Sequence, residues 1–126
     1  MRRLPLLVAG AAVGLASCDS ASSTIPDLGD AYVVEMDSAP LLDGDVLQVT
    51  VSYSGGCERH EFELGTSATG PEHELWLKHD ANNDTCEAYI TERLRISVPR
   101  DALQGRPVRL YISTTETIVL TDSLQQ

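Results

Sequence analysis

The chain is poor in aromatic and in basic residues, and each shortage excludes a class of protein. It contains one Phe, one Trp and four Tyr, so a core must be built mainly from Leu, Val and Ile. Lys and Arg number 9 against 19 Asp and Glu, which gives a formal net charge of -10. Such a surface repels nucleic acid and adsorbs poorly to anionic lipid headgroups. We therefore expect no nucleic-acid partner and no membrane attachment through surface charge.

The chain also lacks an apolar run long enough to cross a bilayer as a helix. Its longest run, from Leu4 to Leu15, would reach only about 18 Å as a helix, against about 30 Å of hydrocarbon. The run follows the basic pair Arg2 and Arg3. A basic start followed by a short apolar run is typical of a secretory signal peptide rather than a membrane anchor.

The signal ends in Leu15-Ala16-Ser17-Cys18, which resembles the lipobox of bacterial lipoproteins. This resemblance implies diacylglycerol on the Cys18 sulfur, cleavage before Cys18 and, in many bacteria, a further acyl chain such as palmitate on the new amino group. Two or three acyl chains hold a protein on a membrane where one does not. The protein is then expected in the cell envelope, facing outside the cytoplasm, with the choice of inner or outer membrane left open.

The rest of the chain divides into a tether and one domain. Residues 1–17 are interpreted as signal peptide, and residues 18–30 as the lipidated cysteine and a flexible tether, small and polar and broken by Pro26 and Gly29. Residues 31–126 form the single predicted domain. Because Arg2 and Arg3 leave with the signal, the net charge of -10 for the whole chain becomes about -12 for the mature part.

Apolar and polar residues alternate with a period of two through most of the domain, which is typical of strands with one buried face. Turn residues such as Asp43-Gly44 and Gly55-Gly56 separate the alternating runs. About seven short strands with this spacing predict an all-β fold, an immunoglobulin-like antiparallel β-sandwich, with a small β-barrel as the alternative. The clearest alternating runs are 47–53, 59–64, 73–79, 93–98 and 108–112.

Two cysteines remain once Cys18 is lipidated. Outside the cytoplasm the compartment is oxidising, and an even pair there predicts a disulfide between Cys57 and Cys86. The sharper alternative is a zinc or copper site in which both cysteines join His60 and His79. That site would require both thiols to stay reduced in an oxidising place. Each histidine also falls on the apolar face of its predicted strand, where a core or rim role is more common.

A second candidate metal site lies in the turn after His79. Asp80, Asn82 and Asp84 form a D-x-N-x-D run, the pattern that opens a calcium loop. The pattern then fails, because Thr85 stands in place of the required Gly and Thr91 in place of the bidentate Glu. Tight hairpins use the same Asx residues, so turn chemistry is the alternative to a calcium site.

No motif of an enzyme is present in the sequence. It contains no G-x-S-x-G, H-E-x-x-H or P-loop pattern, and we expect the domain not to be an enzyme. Trp76 falls on the polar face of its predicted strand, beside Glu74 and Lys78. An exposed Trp there is a candidate contact for a partner, and the alternative is a Trp covered by a loop or by the second sheet.

The stretch from Ser52 to Leu64, with its Gly-Gly-Cys-x-x-His-x-Phe segment, followed by 77–80 and 86–88, resembles a group of small uncharacterised bacterial lipoproteins. This resemblance adds weight to considering Cys57 and Cys86 together and implies no activity. The sequence therefore predicts a lipid-anchored, non-catalytic binding or structural module of the cell envelope, with an envelope protein as its possible partner. The alternative function is a metal-binding or metal-sensing module that uses the Cys/His cluster.

Overall fold

The computed structural model describes residues 25–68, 70–105 and 107–121. Cys18, the signal segment and residues 18–24 of the predicted tether lie outside these ranges. The described residues include no helix that is long and apolar enough to span a membrane. They form one 3-10 turn at Arg100–Ala102 and eight strands, which are β1 (Val33–Val34), β2 (Leu41–Asp43), β3 (Val46–Gly55), β4 (Glu61–Ser67), β5 (His73–Asp80), β6 (Ala88–Ser97), β7 (Val108–Tyr111) and β8 (Thr117–Val119).

The strands form two sheets that pack face to face as a sandwich. In the first sheet β3 pairs with β1 and β2 along one side and with β6 along the other. The second sheet has the order β4-β5-β7-β8. This arrangement confirms the predicted all-β sandwich, and the described strands do not close into the barrel that was the alternative.

Alternation along the strands builds the core between the sheets. From β3 come Leu47, Val49 and Val51, which have no exposed surface. From the second sheet Leu75 and Leu110 are equally buried. Because successive side chains of a strand point to opposite faces, the polar residues between these positions lie on the outer faces. Local sequence pattern therefore determines which face of each strand is buried.

The structure departs from the prediction of wholly antiparallel pairing where β5 meets β7. β5 and β7 run parallel, with His73 beside Val108 and Leu75 beside Leu110. Between them the chain crosses to the other sheet as β6 and reverses direction twice, so β7 returns in the direction of β5. β6 begins at Ala88, two residues after Cys86.

Residues 27–30, which lie in the segment assigned to the tether, contact β5. The N–H of His79 donates to the carbonyl of Leu28, and the N–H of Asp30 donates to the carbonyl of His79. Asp27 forms an ion pair of 3.1 Å with Lys78. Farther on, Val33 and Val34 join the other sheet through β3. The segment 28–34 therefore contacts both sheets at the end where β5 finishes.

Candidate functional site

Four parts of the chain converge at one end of the sandwich: the end of β3, the loop before β4, the end of β5 and the turn before β6. A disulfide joins Cys57 to Cys86, with their Cα atoms 5.8 Å apart. It confirms the predicted pairing of these cysteines. The bridge connects the loop after β3 to the segment that leads into β6, and so holds the converging parts together.

Asp84 organises the loop that carries Cys57. Its Oδ2 accepts hydrogen bonds from the backbone N–H groups of Gly56, Cys57 and Glu58, at 3.0, 3.2 and 3.1 Å. Its Oδ1 accepts from the N–H of Cys86 at 3.0 Å. Successive N–H groups aimed at one oxygen form a concave anion site, which in this protein is filled by its own carboxylate.

Glycine is required at two positions for this loop to form. Gly56 has φ of 116°, a conformation that side chains rarely adopt. At Gly55 an added Cβ would lie 2.5 Å from Nε2 of His60 and 2.8 Å from Oδ2 of Asp84. The Gly-Gly pair therefore permits both the bend and the close approach of the His60 and Asp84 side chains to the backbone.

His60, His79 and Asp84 form a hydrogen-bonded chain. Nε2 of His60 lies 2.7 Å from Oδ2 of Asp84, and Nδ1 of His60 lies 2.8 Å from Nε2 of His79. The chain ends where Nδ1 of His79 faces the carbonyl oxygens of Asp30 and Ala31 at 3.1 and 3.2 Å. The side chains of His60 and Asp84 are almost fully shielded from solvent, and His79 is 2% exposed.

The hydrogen bonds of this chain assign two of its ring hydrogens. Carbonyl and carboxylate oxygens only accept, so Nδ1 of His79 and Nε2 of His60 both carry a hydrogen. The contact of 2.8 Å between Nδ1 of His60 and Nε2 of His79 is a hydrogen bond when one of these two nitrogens also carries a hydrogen.

The hydrogen-bonded chain of His60, His79 and Asp84 lies among aromatic rings. The ring of Tyr53 stacks on His60 with centroids 4.3 Å apart, and Phe62 stacks on His79 at 4.4 Å. Burial, followed by the nearby Glu92, raises the pKa of Tyr53 to about 12, so its hydroxyl donates to Glu92 at 2.7 Å. The hydrogen bond from His60, supported by backbone N–H groups, holds the pKa of Asp84 below its ordinary value of 3.8.

The predicted Cys/His metal set is only partly brought together. His60 and His79 are neighbours, but the sulfurs of Cys57 and Cys86 are bonded to each other and are not thiolates. The facing nitrogens of the two histidines are also occupied with one another. The chemistry of these donors therefore fits a staple and a buried ion pair better than a zinc or copper site.

The side chains of the predicted calcium site, Asp80, Asn82 and Asp84, form hydrogen bonds with different partners. Asp80 Oδ1 accepts from the N–H of Asn82 at 2.8 Å, as in an Asx turn. Asn82 Nδ2 donates to the carbonyl of Arg59, while Asp84 is turned toward the Cys57 loop. Asn82 and Asn83 have φ of 51° and 58°, a left-handed conformation that Asn tolerates. The arrangement is that of a tight turn.

Trp76 is half-buried on the outer face of the second sheet. Its indole lies over Gly65, the residue opposite it on β4, and its ring meets Tyr111 edge-on at a centroid distance of 6.4 Å. Part of the ring remains accessible, and its role as a partner contact stays a prediction. Sequence reasoning missed Asp84 as the partner of His60, since it considered that residue only for calcium.

Comparisons with known proteins add no activity. No family model matches the chain, and no curated protein matches it. Among solved structures, a NigD-like immunity protein from Bacteroides caccae is similar to this chain with a TM-score of 0.49 and 19% identity. The match covers 79% of this chain and 54% of that one, so the chain spans about half the length of that protein.

Proposed function

We propose that this protein is a lipid-anchored component of the bacterial cell envelope and that its β-sandwich is a non-catalytic binding or structural module. The anchor follows from the order of basic start, apolar run, small residues and Cys18. A disulfide between the other two cysteines fits an oxidising compartment outside the cytoplasm.

The observation that carries the non-catalytic assignment is the saturation of the Asp84-His60-His79 chain. Asp84 accepts five hydrogen bonds from described residues, and both nitrogens of each histidine have a protein partner. A general base needs a free position that faces a substrate proton. The nitrogens of the two histidines and the oxygens of Asp84 are instead occupied by hydrogen bonds that connect β5 with the loops around Cys57 and Cys86.

Replacement of the lipidated cysteine tests the anchor. With Cys18→Ser we expect the protein to leave the membrane pellet and to lose incorporation of labelled palmitate, because the sulfur that accepts diacylglycerol is gone. Fractionation of cells followed by immunoblotting measures the distribution. The double variant Cys57→Ser/Cys86→Ser is the matched control and should stay in the membrane fraction. A Cys18→Ser protein that still sediments with membranes at the wild-type level would contradict the proposal.

A further inference from the structure

Among the described edge strands of the two sheets, β4 and β6 are the longest, and each has a free side. Among the described residues β6 pairs only with β3, and β4 pairs only with β5. β6 runs for ten residues and contains no proline. A long edge strand presents unpaired N–H and C=O groups to which another strand can add. The two edges are therefore candidate docking surfaces.

The direction of the backbone groups on β6 follows from its neighbours. The carbonyl of Thr50 accepts from Glu35, so Thr50 faces β1, and by alternation Val49 and Val51 face β6. Their partners on β6 are Leu94 and Glu92, which face β3 in return. Arg93 lies between these two residues and Arg95 follows Leu94. By alternation, the N–H and C=O groups of Arg93 and Arg95 point to the free side of β6.

The same reasoning fixes the groups on β4. The N–H and C=O of His79 bond to Leu28 and Asp30, so they point away from β4. By alternation, Lys78 and Asp80 face β4, and their partners there are Glu63 and Glu61. The backbone groups of Phe62 and Leu64 therefore point to the free side of β4.

The side chains of the two edges are complementary. On β6, Arg93 and Arg95 are exposed on the outer face, while Leu94 and Ile96 lie half-buried on the inner face. On β4, Glu61 and Glu63 are exposed, and Phe62 and Leu64 lie half-buried on the inner face. Arg93 donates to Thr50 and Gln48, and within the described part of the chain neither arginine has a carboxylate partner within 4.0 Å.

We propose that β6 of one molecule pairs in parallel with β4 of a second copy. In this register Arg93 lies beside Glu61 and Arg95 beside Glu63 on the outer face. Leu94 then lies beside Phe62, and Ile96 beside Leu64, on the inner face. The pairing supplies a carboxylate to each arginine and covers the half-buried apolar side chains of both edges.

Only parallel pairing satisfies both the backbone and the charges. In an antiparallel pair, residues whose backbone groups face each other stand directly opposite. Arg93 would then oppose Phe62 or Leu64, which belong to the inner face. In a parallel pair, the edge-facing residue of one strand stands between two edge-facing residues of the other. Arg95 can therefore donate to the carbonyl of Phe62 and accept from Leu64 while its side chain lies beside Glu63.

The geometry of one molecule allows both contacts to form at once. The ring of Tyr53, near the end of β3, stacks on His60, just before β4, and Ala88 at the start of β6 pairs with Gly55. β4 and β6 therefore begin at the same end of the sandwich. A cleft of about 350 Å³ lined by His60, Ile90 and Glu92 lies between these two starts. A two-fold axis roughly along the strands would place each β6 beside the partner's β4 and close a dimer.

Charge reversal tests the pairing. The samples are the full-length lipoprotein in detergent, as the wild type and four variants, with mass measured by light scattering over a dilution series. We expect Arg93→Glu/Arg95→Glu and Glu61→Arg/Glu63→Arg each to raise the dimer dissociation constant by about tenfold or more, because opposed charges become like charges. The quadruple variant keeps the net charge of the wild type and should restore dimerisation. The pair Arg100→Glu/Asp101→Arg, away from both edges, is the control.

Hydrogen exchange provides a second measurement that does not depend on any variant. The amides of Arg95 and Leu64 should exchange more slowly at high concentration than at low concentration, because the strands bond through them. A wild-type protein that is monomeric at about 100 µM, far above the concentrations at which specific complexes usually form, would overturn the proposal. So would a dimer that both double reversals leave intact, or a folded quadruple variant that stays monomeric. All samples carry the same lipid, so association through the anchor would be equal in each and would leave the anchor proposal untouched.

Discussion

Asp84 and His60 form an ion pair in which both side chains are shielded from water. A buried pair of this kind is tolerated when further hydrogen bonds satisfy its remaining polar atoms. Asp84 meets that condition through four backbone N–H groups, and His60 meets it through His79. The removal of one partner leaves the other buried without its counter-charge, so each member depends on the rest.

Asp84→Asn tests this dependence at the level of one residue. The amide has the shape of the carboxylate but lacks the negative charge that accepts from His60 and from four backbone N–H groups, so we expect a lower melting temperature at neutral pH. Asp80→Asn is the matched control, because Asp80 is exposed and the hydrogen bond that its side chain accepts from the N–H of Asn82 can be kept by the amide oxygen. Equal melting temperatures for the two variants would contradict the role assigned to Asp84.

The dependence of stability on pH tests the same role of Asp84. The pKa of Asp84 is lowered from 3.8 in the folded protein. Its contribution to the free energy of unfolding is therefore present above about pH 3.8 and is lost as the pH falls through the lower, folded-state pKa. Thermal unfolding measured from neutral to acid pH should show this loss in the wild type, and a smaller acid-dependent loss in Asp84→Asn.

At the scale of elements, β4 and β5 are fitted to one another across their outer face. Gly65 lies opposite Trp76, and a Cβ on Gly65 would collide with the indole ring. The glycine costs some strand propensity, but its absence of a side chain lets the Trp lie flat over β4. This explains why the Trp on a polar face is half-buried.

Gly65→Ala should therefore destabilise the protein by about 1–3 kcal/mol, the range found for overpacked sites. Trp76→Ala in the same background should relieve the clash, so that the two substitutions together cost about 1 kcal/mol or more less than their sum. Denaturant unfolding of the two single variants and the double variant measures this coupling. Strictly additive free energies would show that the indole does not lie over Gly65.

At the scale of the whole molecule, the disulfide contributes to global stability because it closes the part of the chain that contains β4 and β5 into a loop. The bridged residues are 29 apart in sequence, and the loop-entropy model gives about 3.6 kcal/mol for a loop of that length. Small domains have only about 5–15 kcal/mol of total stability. The bridge therefore supplies a large share of the total free energy of unfolding in a small domain whose core is built mainly from Leu and Val.

Cys57→Ser/Cys86→Ser should lower the free energy of unfolding by about 3 kcal/mol, whether or not metal is added. Denaturant unfolding, with a thiol assay and elemental analysis of the wild type purified from an oxidising compartment, checks this. We expect no free thiol at Cys57 or Cys86 and no stoichiometric metal. Two free thiols with about one zinc or copper ion per chain would instead favour the metal-binding alternative.

Much of the fold could be predicted because it depends on local pattern. The alternation at Leu47, Val49 and Val51 shows which face is buried before any partner strand is known. Local pattern also argues against the calcium site, because Thr85 breaks the calcium-loop pattern within the turn itself. The cluster of His60, His79 and Asp84 could not be predicted, because its members come from a loop, a strand and a turn whose meeting depends on which strands share a sheet.

The sequence by itself determined the class of fold and the pairing of Cys57 with Cys86, since the period of the strands and the parity of the cysteines are properties of the chain alone. Only the tertiary structure decided that β5 and β7 run parallel, that Asp84 accepts a hydrogen bond from His60, and that β4 and β6 are left as free edges with opposite charges. These features arise where residues distant in the chain are brought within hydrogen-bonding distance, and a linear pattern carries no information on that distance.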